Sequence, residues 1–146
     1  MNVKMKGASF LEVYQNDIAP QLQSLDIILK SMDEPLNLTE ASEALYISET
    51  EIIDIMKRLK ISVIDQQSFL KIMEEASSPI CRLYQREIAA GSPYVYTREE
   101  ISYIYSIPLD IVNQACEELG LVKLTAYTLP DLFSRVNMQP AGFYCA

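Results

Sequence analysis

The side chains of this chain that could carry out covalent or acid–base chemistry are few and scattered. Histidine is absent from all 146 residues. That removes the commonest general base and the commonest transition-metal ligand. The cysteines, Cys81, Cys116 and Cys145, lie far apart, are odd in number and form no CxxC pair. A disulfide framework or a thiolate zinc site is therefore not expected. Cys145 has no histidine to activate it as a nucleophile. Adjacent carboxylates occur at Glu74-Glu75, Glu99-Glu100 and Glu117-Glu118. Neighbours in a helix do not face one another, so these pairs read as solvated surface. The four glycines are not clustered into a phosphate loop. No catalytic residue, metal ligand or cofactor is expected, and the chain reads as non-enzymatic.

What remains is chemistry of recognition, and the elements that would position it are written twice. Residues 37–48, NLTEASEALYIS, recur as residues 97–108, TREEISYIYSIP, with the same order of residue types and no gap. Repetition of this kind defines the structural unit before any fold is assigned. In each copy a short polar residue stands three places before a glutamate, Asn37 with Glu40 and Thr97 with Glu100. This is the capping-box spacing, so helices are expected to start near residues 38 and 98, with Leu36 and Tyr96 as hydrophobic staples. Ser48 with Glu51 repeats the spacing, and Pro108 suits a first helical turn. Second helices are then predicted over 49–60 and 109–119. Their apolar faces are Ile52, Ile55, Met56 and Leu59, and Val112, Ala115, Cys116 and Leu119. Each meets a short β-type run, 61–64 or 121–124, after Gly120 as a C-cap in the second copy. A further helix is expected after each run, with Thr128 and Asp131 as a cap.

A second echo lies upstream. Val13-Tyr14-Gln15-Asn16-Asp17-Ile18-Ala19 resembles Leu83-Tyr84-Gln85-Arg86-Glu87-Ile88-Ala89, with four of seven residues identical. Pro20 follows the first echo, which predicts a kink or break before a helix over 21–32. The expected organisation is a first unit over 8–76, a second over 78–138, and a tail over 139–146. Glu75 to Pro79 joins the units.

Residues 38–57 and 98–117 both resemble the twenty-residue helix-turn-helix motif of bacterial DNA-binding regulators. The motif wants apolar residues at its fourth, eighth, tenth, fifteenth and eighteenth places and a small one at its fifth. The first copy supplies Ala41, Ser42, Leu45, Ile47, Ile52 and Ile55; the second supplies Ile101, Ser102, Tyr105, Ile107, Val112 and Ala115. The ninth place, usually glycine, is Tyr46 and Ser106 here. With the runs after each second helix, the resemblance implies a mostly α fold of tandem duplicated winged-helix-like units with short β wings.

The resemblance also implies which surface would recognise a partner. In DNA-binding members the exposed face of the second helix reads the major groove. By position, that face is Ser48, Glu49, Thr50, Ile53, Asp54 and Lys57 in the first copy. In the second it is Pro108, Leu109, Asp110, Asn113, Gln114 and Glu117. Four carboxylates, one lysine and no arginine make a poor grip on phosphate. Only Asn113 and Gln114 suit adenine. Lys57, Arg58 and Lys60 read as cations answering a helix dipole. Tyr94, Tyr96 and Tyr103 are candidate aromatic interface residues, since tyrosine buries area and keeps a polar handle.

Apolar residues make up 49% and charged residues 22%, which predicts a packed core. The net charge of −8 opposes nucleic acid and anionic lipid. No apolar run suits a membrane span and no secretory signal is read near residue 1. The expectation is a cytoplasmic regulatory protein that binds another protein, linked to transcription, with homo-oligomerisation open. The alternative is a DNA-binding transcriptional regulator.

Overall fold

Local hydrogen bonds at the helix starts explain most of the element boundaries. The computed structural model describes residues 9–138. The tail at 139–146, with Cys145, lies outside the described residues, as does the segment before Ser9. Helix α1 is Phe10–Val13, opened by a capping box that the sequence reading missed. The Ser9 hydroxyl accepts from the Glu12 N–H at 3.2 Å, and the Glu12 carboxylate accepts from the Ser9 N–H at 2.9 Å. A π-helical turn, Tyr14–Ile18, then leads into α2, Ala19–Ser31. The break expected at Pro20 does not occur. The wide turn, closed by the Ala19 N–H on the Tyr14 carbonyl, comes just before the proline. It absorbs the misfit of a ring that can neither donate nor clear a preceding carbonyl.

Helices α3 (Leu38–Leu45), α4 (Glu49–Leu59), α5 (Gln66–Glu75) and α6 (Pro79–Ala89) follow. Then come α7 (Arg98–Tyr105), α8 (Leu109–Leu119) and α9 (Leu129–Phe133). The Asn37/Glu40 and Thr97/Glu100 capping boxes are complete, with all four bonds between 2.8 and 3.0 Å. Ser48 makes only half a box. It accepts from the Glu51 N–H, while the Glu51 carboxylate accepts from the Ser77 N–H and hydroxyl at 2.8 and 2.9 Å. Thr128 does not cap α9. Its hydroxyl instead accepts from the Thr125 N–H and donates back to the carbonyls of Lys123 and Thr125.

The β wings are corrected by the structure. Among the described residues there is no strand. Each run collapses to one antiparallel bridge, Leu36 with Ile64 and Tyr96 with Leu124. Each bridge has a single N–H···O bond, of 3.0 and 2.7 Å. The ladder has nowhere to extend. Leu36 and Tyr96 are each followed at once by a capping residue whose helix takes up the next backbone groups. A pairing so short does not make a ribbon. Among the described residues the fold is helical, with two helix–turn–helix pairs, α3–α4 and α7–α8, and no wing.

Contacts gather the described chain into two compact units, one of residues 21–85 and one of 9–20 with 86–138. They run across the tandem division near residues 76–78. In the unit of 21–85, the Ser78 hydroxyl donates to the Leu45 carbonyl at 2.7 Å, with the Cys81 thiol beside it. The Gln85 amide donates to the Met73 carbonyl at 2.7 Å, and the Gln66 amide donates to that of Leu29. Ile80, Cys81 and Leu83 are buried along with Leu45, Phe69, Ile72 and Met73. In the other unit Phe10 and Tyr14 pack on Phe133 with ring centroids 4.8 and 4.7 Å away. Tyr105 lies 4.9 Å from Phe133 and 6.0 Å from Tyr14. Edge-on and tilted aromatic packing at such distances adds to simple burial. The start of each Tyr-Gln echo thus packs with the helix–turn–helix pair of the opposite copy.

Candidate interaction surface

The turn between the paired helices sets which side of the second helix faces out. Tyr46 and Ser106, at the place where glycine is usual, both take the left-handed conformation, with φ of 56°. A residue with a Cβ is strained there by about 1 kcal/mol. The small fifth residue of each copy helps to hold the turn. Ser42 donates to the Ile47 carbonyl, and Ser102 to that of Ile107, each at 2.6 Å. Ile47 and Ile107 are buried beneath the turn, which leaves the predicted faces of α4 and α8 outward.

On α4, Glu49, Thr50, Asp54 and Lys57 are exposed, and Ile53 is 38% exposed. Ile52 and Ile55 face the core, Met56 is half-buried and Leu59 is exposed. On α8, Asp110, Gln114 and Glu117 are exposed, as is Leu109 at 37%. Val112, Ala115 and Cys116 are buried, and Leu119 is half-buried.

Asn113 is half-buried and already engaged. The Arg98 guanidinium, from α7, donates to its side-chain oxygen at 3.2 Å and stands 3.7 Å from the Glu117 carboxylate. A second arginine, Arg135, also reaches α8 and stands 3.5 Å from the Glu118 carboxylate. At the end of α4, Arg58 pairs with Glu75 at 3.2 Å, and Lys60 is the left-handed C-cap.

The tyrosines divide. Tyr94 (77% exposed) and Tyr103 project outward. Tyr96 is half-buried, and its hydroxyl donates to the Glu87 carboxylate at 2.7 Å. Burial, then hydrogen bonding and charge from Glu87, push the Tyr96 hydroxyl far up its scale. Burial likewise raises the Glu87 carboxyl, and Glu100 adds to it, while the Tyr96 bond pulls the other way. Cys81 and Cys116 are buried free thiols. Burial pushes Cys81 up to about 11, so it stays protonated at neutral pH. Among the described residues, no three Cys, Asp or Glu side chains are grouped so as to hold a metal ion. No described helix is long and apolar enough to cross a membrane.

One feature of the surface escaped the sequence reading. Ile53 does not stand alone: with Leu36, Leu38, Met56, Ser62, Val63 and Ile64 it lines an open hollow of about 370 Å³. Position by position, the second copy has Asn113 for Ile53, Arg98 for Leu38 and Lys123 for Val63. Comparing exposed positions between the copies, rather than core ones, would have found it. No protein-family model, no curated protein and no solved structure matches this chain.

Proposed function

We propose that this chain is a non-enzymatic regulatory protein whose helix–turn–helix pairs bind another protein. The supporting observation is the composition of the outward faces of α4 and α8. They present Glu49, Asp54, Asp110 and Glu117 together with the apolar side chains of Ile53 and Leu109. A surface of carboxylates around partly exposed aliphatic residues suits a protein partner with basic groups at its rim. It repels the phosphates of a duplex, and the arginines near α8 are paired, Arg98 with Asn113 and Glu117 and Arg135 with Glu118. A link to transcription rests on the helix-turn-helix resemblance alone.

The test is affinity capture from the native host with the full chain, run beside the double variant Glu49→Lys/Asp54→Lys. The reading predicts a specific protein partner that the variant fails to retain. Equal recovery by both would count against it. Binding of a random DNA duplex that weakens steeply with salt would favour the alternative of a DNA-binding regulator.

A further inference from the structure

We propose that the first copy carries a peptide-docking groove for a partner segment with one apolar anchor flanked on one side by lysines or arginines. The proposal rests on the reading of the chain as a protein-interaction module, and it names the site and the chemistry of the occupant.

The anchor half is the hollow over α4. Its apolar walls are Leu36, Leu38, Ile53, Met56, Val63 and Ile64, with Ser62 the one polar lining residue. Val63 is 48% exposed and Ile53 38%, so neither is consumed by the core. At the equivalent place the second copy carries polar residues for three of these, Arg98 for Leu38, Asn113 for Ile53 and Lys123 for Val63. There Arg98 and Asn113 are hydrogen-bonded to one another, and Cys116, in the place of Met56, is buried. Two copies of one framework have thus diverged at the exposed positions while the buried ones stayed apolar. Apolar side chains at places where the other copy carries a hydrogen-bonded polar pair are not a requirement of the fold.

The flank half is set by charge. Leu36 also belongs to a second hollow of about 360 Å³, lined by Ile28, Ser31, Met32, Asp33, Glu34, Pro35 and Glu40. The two hollows therefore share Leu36 as a lining residue. Three of the lining residues are carboxylates and none is a cation. Glu40 uses one oxygen on the Asn37 N–H. Lys57 and Lys60, near the end of α4, line neither hollow. A segment with an aliphatic or aromatic side chain in the first hollow would lay its next residues over Asp33, Glu34 and Glu40. Lysine or arginine there satisfies the carboxylates, while acidic residues are repelled.

The experiment pans a random-peptide phage library against the full chain. Dissociation constants of the synthesised winners are then measured by fluorescence anisotropy at low and high salt. The winners should share an apolar residue beside a lysine or arginine pair. Ile53→Asn, which installs the residue the second copy carries, should weaken binding at least tenfold while the circular dichroism stays unchanged. Asp33→Lys/Glu34→Lys should weaken it several-fold and abolish most of its salt dependence. No enriched peptide, winners without that pattern, or wild-type affinity in Ile53→Asn would each overturn the groove. Winners lost in Glu49→Lys/Asp54→Lys but bound normally by Ile53→Asn would overturn it while leaving the interaction-module reading standing.

Discussion

Replacing Phe10 by alanine should destabilise the second helix–turn–helix pair more than the first, although Phe10 lies upstream of both. Phe10 has no exposed surface, and its ring sits 4.8 Å from Phe133. Truncation of a buried phenylalanine costs about 3–5 kcal/mol, from lost transfer free energy and from the cavity left behind. That is a large share of the roughly 5–15 kcal/mol that holds an ordinary domain folded. The cavity would open beside Phe133, on which Tyr14 and Tyr105 also pack, in the unit of 9–20 with 86–138. Amide hydrogen exchange read by mass spectrometry resolves the effect by segment. At about 1.4 kcal/mol per decade, a loss of 3 kcal/mol speeds exchange of the most protected amides by roughly a hundredfold. Peptides covering α7, α8 and α9 should show that loss, and those covering α3 to α5 a smaller one. The crossed control is Ile80→Ala, which removes a buried side chain from the unit of 21–85. It should reverse the pattern at a cost of about 2–5 kcal/mol. If Phe10→Ala spares α7 to α9, or loosens α3 to α5 more, the packing of α1 with the second helix–turn–helix pair is refuted.

Other consequences follow from the turns and the buried groups. Ser106→Gly removes a Cβ from a left-handed turn and should raise stability by up to about 1 kcal/mol in urea denaturation, whereas Ser106→Val should lower it. Ser42→Ala or Ser102→Ala deletes the bond to the turn carbonyl and should cost about 1 kcal/mol each, read from the same transitions. Cys81 and Cys116 should resist iodoacetamide at neutral pH in the folded protein and label fully in denaturant, as peptide mapping would report. Glu87 has a folded pKa raised above its unfolded value. It therefore favours folding below the unfolded value, and that contribution is lost as pH rises through the folded one. Glu87→Gln keeps an acceptor for Tyr96. Its stability relative to the parent should improve between pH 4 and pH 7; a difference independent of pH would contradict the assignment.

What was legible in the sequence is what short-range chemistry controls. Asn37 with Glu40 and Thr97 with Glu100 mark two helix starts, because a cap and its partner lie within one turn of chain. The buried faces of α4 and α8 follow from helical spacing, and Gly120 marks the end of α8. The same local logic overreached at Pro20, where a π turn upstream accommodates the ring. It overreached again at 61–64 and 121–124, where β-type residues met a partner too short to form a ladder. The outward faces of α4 and α8 were legible as carboxylate-bearing helix surfaces.

Only the tertiary structure decided the rest. It placed Arg98 against Asn113 and Glu117, brought Leu36 and Val63 beside Ile53, and gathered the start of each echo into the unit that holds the other copy's helices. These choices depend on contacts between residues distant in sequence. A cap is fixed by hydrogen bonds within a few residues, whereas two near-identical apolar faces offer a helix equivalent docking places. Which of them is filled depends on the packing of whole side chains and on the length of chain between them.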